Sequence, residues 1–371
     1  MTSGKEDKLY FFNFWVDFLF IGGLSILVLG VLSLFIGMDR SENVTLFAAA
    51  MTWFINDPHF SATNYRLYGN KGNTKQFPIT SYVIPVLILL GVVASLANPS
   101  EVAPYFVKLF VIWSPYHFSG QSMGITMVYF HRAGLRLSKW ERFALSTFIF
   151  SSFTSVVLFY ESGHSLNTQH FGIPYESFGV PMWSVQVSRA IMSLAAIAFS
   201  GLMIRKSFKE KVKIPFIVFL PAITHFVWYV GGFNFRSFDE LVPLFHSVQY
   251  MFIALTVQLK SVADAKRETR ITKSQFLGRS LKWWAINIAG GFLLFRFLPD
   301  LAERFPAISQ SIGSPIFIAG VFSAAVQLHH FFVDGVIWKL KSTKNQNPLT
   351  VHWPDLLESD PPPAQTAGAQ S

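Results

Sequence analysis

Residues 314–337 read SPIFIAGVFSAAVQLHHFFVDGVI. As an α-helix, this run is long enough to cross the roughly 30 Å hydrocarbon core of a bilayer. Asp334 is its only formally charged residue, yet the run also contains two adjacent histidines, His329 and His330. Ionisable groups are costly at such depth and usually mark a function or a paired structural contact. The stretch therefore predicts a membrane helix with a polar site on one of its faces.

The composition of the whole chain agrees with that interpretation. Of its 371 residues, 51% are hydrophobic and only 14% are charged, whereas soluble proteins usually have about a quarter charged residues. The chain has no cysteine, which excludes disulfides, thiolate metal sites, iron–sulfur clusters and cysteine nucleophiles. We find no glycine-rich phosphate loop and no G-x-S-x-G motif, so nucleotide chemistry and serine hydrolysis have no support.

Apolar runs long enough to span a bilayer occur ten times. Of the 30 Lys and Arg residues, 24 fall in alternate connecting segments, beginning with the N-terminal one. Basic residues mark the cytoplasmic side, so both termini are predicted to be cytoplasmic, and the net charge of +9 reflects topology rather than nucleic-acid binding. We predict an all-α polytopic protein with one integral membrane domain, 1–341, and a disordered cytoplasmic tail, 342–371. The predicted spans are 15–36, 43–62, 81–98, 103–130, 142–160, 181–203, 214–232, 240–259, 281–298 and 314–337.

Six of the ten histidines lie in or at the ends of these spans. Counted from the basic residue at the cytoplasmic end of each helix, several of them fall within roughly one and a half helical turns of one level. Neutral imidazoles that meet at one depth from separate helices predict a shared metal site in the bundle. The candidate ligands are His59, His117, His225, His246, His329 and His330, with Asp57 and Asp334 as further ligands or hydrogen-bond acceptors.

The roles of three of these candidates remain open. His329 and His330 point about 100° apart on one helix, so only one of them is expected to be a ligand. For His225, a structural network with its neighbours Thr224, Trp228 and Tyr229 is an equal alternative. His164 and His170 lie in an external segment, where their spacing after Glu161 suits zinc but no fourth partner is evident.

Three short motifs around these histidines resemble those of the bacterial Brp/Blh family of membrane carotene dioxygenases. Asp57-Pro58-His59 resembles the family's Pro-His, and Tyr116-His117-Phe118-Ser119 resembles its Tyr-His-Phe-Gly. Phe245-His246-Ser247-Val248-Gln249-Tyr250 resembles its Trp-His-Ser-x-Arg-His. The family binds one iron through four histidines and cleaves the central double bond of a carotenoid with dioxygen. The resemblance implies Fe(II), O2 and an apolar small-molecule substrate in a bacterial inner membrane.

The chain departs from the family at Tyr250, which stands where the family has its fourth ligand. One of His225, His329 and His330 would then complete the site. We expect Tyr116, Gln249 and Tyr250 to be catalytic residues beside the metal. Fe(II) is the expected metal, with zinc, copper or haem as alternatives.

The function expected from these residues is that of a membrane-embedded non-haem iron oxygenase, dioxygenase-like, acting on an apolar lipid or isoprenoid. A metal-ion or small-solute transporter or channel lined by His and Asp is one alternative. A haem-binding membrane electron carrier, with His117 and His246 as ligands, is another.

Overall fold

The computed structural model describes residues 8–35, 42–69, 71–164, 169–231, 238, 240–306, 308, 312, 314–338 and 351–357. In these ranges the chain is helical apart from one small hairpin. The first helices are α1 (Phe14–Phe18), α2 (Leu24–Phe35), α3 (Glu42–Met51), α4 (Asp57–Tyr68), α5 (Lys71–Gln76), α6 (Ile84–Ala97), α7 (Ala103–Arg132) and α8 (Lys139–Glu161). After the hairpin of β1 (Gln169–His170) and β2 (Ile173–Pro174) come α9 (Met182–Glu210), α10 (Leu220–Phe226), α11 (Val242–Ala265), α12 (Lys273–Phe292), α13 (Leu298–Glu303), α14 (Pro315–Ile337) and α15 (Trp353–Leu356).

Several of these helices run into one another through wider π turns. Such turns occupy Leu19–Gly23, Thr52–Asn56, Ile79–Val83, Val227–Gly231 and Leu293–Phe297. Three of them lie just before Pro58, Pro85 or Pro299. A proline has no backbone N–H to continue the ordinary ladder, so a local π turn before it keeps the helix continuous.

Seven helical stretches in the described residues are long and apolar enough to cross a membrane. The other three predicted spans, 43–62, 103–130 and 214–232, are also largely helical. The first two are less apolar than the seven, and they carry buried polar side chains such as His59 and Ser119. The described helix of the third, residues 220–231, has too few residues to qualify as a span. The seven are Phe14–Leu34, Ile79–Ala97, Lys139–Glu161, Met182–Glu210, Val242–Ala265, Lys273–Glu303 and Pro315–Ile337.

Two helices form the centre of the bundle. The most apolar windows of α11 and α14 are 72% and 56% buried, whereas those of the other five candidate spans are 22–39% buried. The outer helices instead expose large apolar side chains, as at Leu34, Leu89 and Phe208. A helix that is apolar all round needs lipid or protein on every side, so this pattern is that of a membrane bundle.

Part of the segment that we expected to be a disordered tail is folded. Trp353 is 1% exposed, its backbone N donates to Phe11 O at 2.8 Å, and its ring stacks on Phe12. Arg132 donates to Val351 O at 3.0 Å, and Ile271 N donates to Leu356 O at 2.8 Å. The expectation of disorder from 342 onward therefore does not hold for 351–357, because Trp353 fills an apolar pocket. Residues 342–350 and 358–371 lie outside the described part of the chain.

Candidate metal centre

Four histidines from four different helices meet in the centre of the bundle. His59 belongs to α4, His117 to α7, His246 to α11 and His330 to α14. Each offers one ring nitrogen, and these four atoms all lie within 4.8 Å of one another. His59, His246 and His330 are at most 1% exposed. We call these four residues the His cluster.

Local backbone features bring His59 into this position. The π turn Thr52–Asn56 precedes Pro58, and the helix then continues into α4. On the other side of α4, α12 approaches so closely that a Cβ on Gly291 would lie 2.7 Å from the carbonyl carbon of Asp57. A Cβ on Gly290 would collide with the Ser61 side chain. The two glycines therefore allow the backbone of α12 to pack closely against α4, which carries His59.

The Nδ1 atom of His59 is held by Ser247. The Ser247 hydroxyl donates its single proton to Asn56 Oδ1 at 2.9 Å, and its Oγ also lies 2.9 Å from His59 Nδ1. The serine oxygen must then accept a hydrogen bond from a protonated Nδ1. His59 Nε2 is left with its lone pair free, which is the form of imidazole that binds a metal.

His330 is held in the same way from the opposite side. Its Nδ1 lies 2.8 Å from Thr63 Oγ1, which in turn lies 2.6 Å from Tyr250 Oη. Asp334 Oδ1 accepts from the Thr63 and Tyr250 hydroxyls at 3.2 and 3.3 Å. With these acceptors for its proton, the Thr63 oxygen accepts from His330 Nδ1–H. His330 Nε2 then keeps its lone pair, which faces His117 Nε2 and could instead bind a metal.

The ring nitrogens that face the centre fit a shared metal ion. His59 Nε2 and both ring nitrogens of His246 are buried and have no hydrogen-bond partner among the described residues. His117 Nε2 and His330 Nε2 lie 3.1 Å apart. Imidazole nitrogens bound to one ion at about 2.1 Å lie roughly 3–4 Å from one another, so small shifts would bring all four onto it. Buried polar atoms left without partners are rare, and a bound ion would account for these.

Aromatic side chains enclose the cluster. Phe118 stacks on His246 with ring centroids 4.1 Å apart, and Phe331 stacks on His117 at 4.7 Å. Phe60 lies 4.9 Å from His330. These rings keep the cluster away from water and pack it on several sides.

Two predicted ligands do not belong to the cluster. His225 is fully buried, but its ring nitrogens lie 3.2, 3.2 and 2.7 Å from the hydroxyls of Ser119, Ser122 and Ser152. The structural alternative for His225 therefore describes its surroundings, although with serines instead of Thr224 and Tyr229 as hydrogen-bond partners. His329 points away from the cluster, and its Nε2 lies 3.3 Å from Tyr68 Oη. Of the adjacent pair, only His330 faces the cluster.

The two aspartates lie at different distances from the cluster. Asp334 Oδ2 is 3.4 Å from His330 Nε2 and 3.8 Å from His117 Nε2, so this carboxylate touches the cluster. Asp57 is buried, and its carboxylate lies 3.7 Å from Arg296. Asp57 thus pairs with a cation on the helix behind α4.

The three expected catalytic residues also differ in how close they lie to the cluster. The Tyr250 ring lies 4.3 Å from the His59 ring, and its hydroxyl reaches Asp334, so Tyr250 is beside the cluster. Gln249 donates to Ile21 O and accepts from Gln121 Nε2 at 3.1 Å, which ties helices together without contact to the four imidazoles. Tyr116 packs against Phe150 and Phe153 on α8, and it lines a cavity beside the cluster.

Sequence reasoning missed Thr63 and Ser247, the hydroxyl groups behind His330 and His59. The signal for Thr63 was available, since it follows His59 by four residues and shares its face of α4. For Ser247 the sequence shows only that it follows His246. Which helix it would meet depends on the packing of α11 against α4.

Two cavities adjoin the cluster. The first, of about 320 Å³, is lined by His117, Tyr250 and Asp334 and by Gly120, Gly124 and Gly335; we call it the glycine-lined cavity. The second, of about 340 Å³, is lined by the other three cluster histidines and by His170, Trp228 and Tyr229; we call it the cap-side cavity. A Cβ on any of the three glycines would meet no other atom within 4 Å, so these positions leave open space along α7 and α14.

Comparisons of the chain with protein-family models, with curated proteins and with solved structures gave no match. The geometry and chemistry of the cluster are therefore the guide to its function.

Proposed function

We propose that the His cluster binds a single ferrous ion, and that the protein is a membrane-embedded non-haem oxygenase acting on an apolar lipid or isoprenoid. The observation that carries this proposal is the convergence of four buried imidazole nitrogens from four helices within 4.8 Å. Neutral imidazoles without thiolate suit iron, zinc or copper. Buried, apolar surroundings with cavities on two sides suit chemistry on a lipid-soluble molecule, and this favours iron among the three.

When bound, ferrous iron supplies the activation of dioxygen. The residues of the chain supply everything around it. Ser247 and Thr63 hold the Nδ1 protons of His59 and His330 and so orient both rings. Phe118 and Phe331 exclude water from the imidazoles they cover. Asp334 and Tyr250 form a hydrogen-bonded pair that can hold a proton at the edge of the cluster.

The cavities supply room for the substrate. Trp113, Tyr116 and Phe331 give the glycine-lined cavity large apolar walls next to His117. An apolar molecule that enters from the bilayer would gain the usual hydrophobic contribution by filling this space. The resemblance to the carotene dioxygenases is consistent with such a substrate, and it agrees with the cluster at three of the four histidines.

We further propose that all ten predicted segments cross the membrane, with both termini in the cytoplasm of a bacterial cell. The C-terminal segment 351–357 packs on residues near the N-terminus, as in the bond from Trp353 N to Phe11 O. Two ends on one face of a bundle require an even number of crossings. Arg132, at the basic end of α7, also donates to Leu9 O and Val351 O, which groups basic residues with that face.

Metal analysis of the full chain, purified in detergent and loaded with ferrous iron, tests the proposed centre. We expect about one iron per chain, with no Soret band, and loss of most of it in His330→Gln. The matched control is His329→Gln, the next residue on the same helix, which should keep its iron. Equal iron in both variants, or none in the unaltered chain, would overturn the proposed centre.

Activity distinguishes the oxygenase from its alternatives. Iron-loaded protein, incubated with isotopically labelled dioxygen and a hydrophobic extract of its own membranes, should yield labelled products that His330→Gln does not form. A metal transporter would instead move iron across proteoliposome membranes without consuming dioxygen. A haem carrier is disfavoured because the rings of His117 and His246 lie 5.0 Å apart and contact the other cluster rings, which leaves no slot for a porphyrin.

A further inference from the structure

Three residues that line the cap-side cavity carry buried polar atoms that the proposed metal centre does not use. The atoms are His170 Nε2, Trp228 Nε1 and Tyr229 Oη. All three atoms are buried, and none has a hydrogen-bond partner among the described residues. Single cases of this kind are uncommon in folded proteins, so three around one cavity indicate a missing partner.

The position of His170 is fixed by the segment that carries it. Its hairpin turns at Phe171 and Gly172, whose φ angles are 52° and 71°. The hairpin then packs on α14, where a Cβ on Gly320 would lie 2.6 Å from the Phe171 Cβ. The His170 ring packs 5.1 Å from that of Phe110. His170 thus contacts α7, and the hairpin that carries it packs on α14.

A buried ion pair holds the rest of this segment in place. Lys108 Nζ donates to Glu161 Oε2 at 2.9 Å and to Glu176 O at 2.7 Å, and it lies 3.4 Å from the Phe178 ring centroid. Glu161 also accepts from the Tyr175 hydroxyl and from Phe178 N. The described part of the external segment is therefore built onto the bundle as a cap.

The chemistry of the three atoms selects the kind of ligand. The indole N–H of Trp228 can only donate, whereas Tyr229 and a neutral His170 can donate or accept. Burial lowers the pKa of His170 to about 4, so its ring is neutral near neutral pH. A donor-only group disfavours a cation, and a neutral His170 supplies no positive charge to hold an anion. A neutral oxygen, such as a hydroxyl or carbonyl, meets all these conditions.

We propose that the cap-side cavity binds the oxygen-bearing end, a hydroxyl or carbonyl group, of an otherwise apolar substrate, through His170, Trp228 and Tyr229. The inference rests on the proposed function, since it describes a substrate of the same centre. The apolar part of that molecule would extend past the His cluster towards the glycine-lined cavity. The distance from its oxygen to the reacting carbons would then set where along the chain the reaction occurs.

Competition binding tests this site. The full chain, purified in detergent with its metal, is immobilised and bound to radiolabelled geranylgeraniol, which is then displaced by unlabelled alcohol or by the hydrocarbon with the same carbon skeleton. We expect the alcohol to bind roughly tenfold more tightly than the hydrocarbon, as one or two good hydrogen bonds would give. Equal affinities would overturn the inference, since they would leave the three polar atoms to ordered water.

Variants of the three residues test whether their polar groups cause the preference for the alcohol. Tyr229→Phe removes only the hydroxyl, Trp228→Phe replaces the indole with a smaller ring that has no N–H, and His170→Phe replaces the imidazole with an apolar ring. Each should reduce the preference for the alcohol several-fold and leave the affinity for the hydrocarbon nearly unchanged. The control is Trp113→Phe, a tryptophan of the glycine-lined cavity, which should leave the preference unaltered. A preference that survives all three variants would place the oxygen elsewhere and refute the site.

Two further measurements keep the result interpretable. Iron content of each variant reports whether it has folded, because none of the three residues belongs to the His cluster. His117→Ala should lose iron and still prefer the alcohol, because its side chain does not line the cap-side cavity. If the chain prefers the alcohol but binds no iron, the proposed metal centre is wrong and the alcohol site stands. If it binds iron but shows no preference, the metal centre stands and the alcohol site is wrong.

Discussion

At the scale of single residues, the cluster depends on which nitrogen of each imidazole carries a proton. A histidine can bind a metal through Nε2 only when that atom has a free lone pair, and the hydrogen bond at Nδ1 decides this. Ser247 and Thr63 impose that form on His59 and His330. Two hydroxyl groups that would not touch the metal thus influence how tightly it would bind.

Removing the Ser247 hydroxyl should therefore weaken metal binding without abolishing it. In Ser247→Ala, His59 Nδ1 loses its acceptor, and both the tautomer and the ring orientation become less well defined. We expect the affinity for ferrous iron to fall about 10- to 100-fold, the usual effect of losing such a partner. Titration with a competing chelator measures it.

The control for this prediction is Ser261→Ala on the same helix, where the hydroxyl donates only to Val257 O. Its iron affinity should equal that of the unaltered chain. Unchanged affinity in Ser247→Ala would contradict the role assigned to that hydroxyl.

The sequence predicted these residues only in part. Depth along each helix can be counted from the chain, so histidines of similar level could be found and His330 or His329 could be named as alternatives. Orientation about the helix axis cannot be counted in this way, because it depends on what each face meets. His330 faces Thr63 on α4, whereas His329, one residue earlier, faces Tyr68. The same limit applies to His225, which meets three serines on α7 and α8.

At the scale of elements, the position of the cluster depends on how closely the helices approach. The π turn before Pro58 and the glycines of α12 both act on α4, which carries His59 and Thr63. Small residues allow membrane helices to pack backbone to backbone, and here the contact falls directly behind the cluster. The sequence shows these glycines, but only the structure shows which helix they approach.

A methyl group at the closest of these contacts should displace α4. In Gly291→Ala, the new Cβ would lie 2.7–2.9 Å from backbone atoms of Asp57 and Pro58, which cannot rotate away. We expect the variant to lose about 1–3 kcal/mol of stability, as overpacking typically costs, and to bind less iron. The thermal unfolding midpoint in detergent and the iron content measure both effects.

Gly278→Ala provides the matched control on the same helix, since a Cβ there meets no other atom within 4 Å. Replacing this helical glycine should leave the midpoint unchanged or raise it slightly, because alanine is the better helix former. If Gly291→Ala behaved like Gly278→Ala, close packing behind His59 would not be needed to form the cluster.

At the scale of the whole molecule, a polar site inside the bundle conflicts with the high hydropathy that identifies membrane helices. The helical stretches that carry His59 and His117 are less apolar than the seven that qualify as spans by length and composition. Polar residues collected inside the bundle lower the mean hydropathy of the very helices that carry them. The alternation of basic segments does not depend on the hydropathy of the helices, and in the sequence it agrees with the ten apolar runs.

The absence of cysteine makes the number of crossings directly testable, because any single cysteine introduced is a unique label. Asp355→Cys lies in the C-terminal segment that packs near the N-terminus, and Glu101→Cys lies in the turn between α6 and α7. With ten crossings, a membrane-impermeant thiol reagent applied to intact cells should modify Glu101→Cys and spare Asp355→Cys until the cells are opened. Lys8→Cys should behave like Asp355→Cys, since both ends would share one face. Were only the seven stretches that qualify by length and composition to cross, the N- and C-terminal cysteines would react from opposite sides, and the packing of Trp353 against Phe11 could not form.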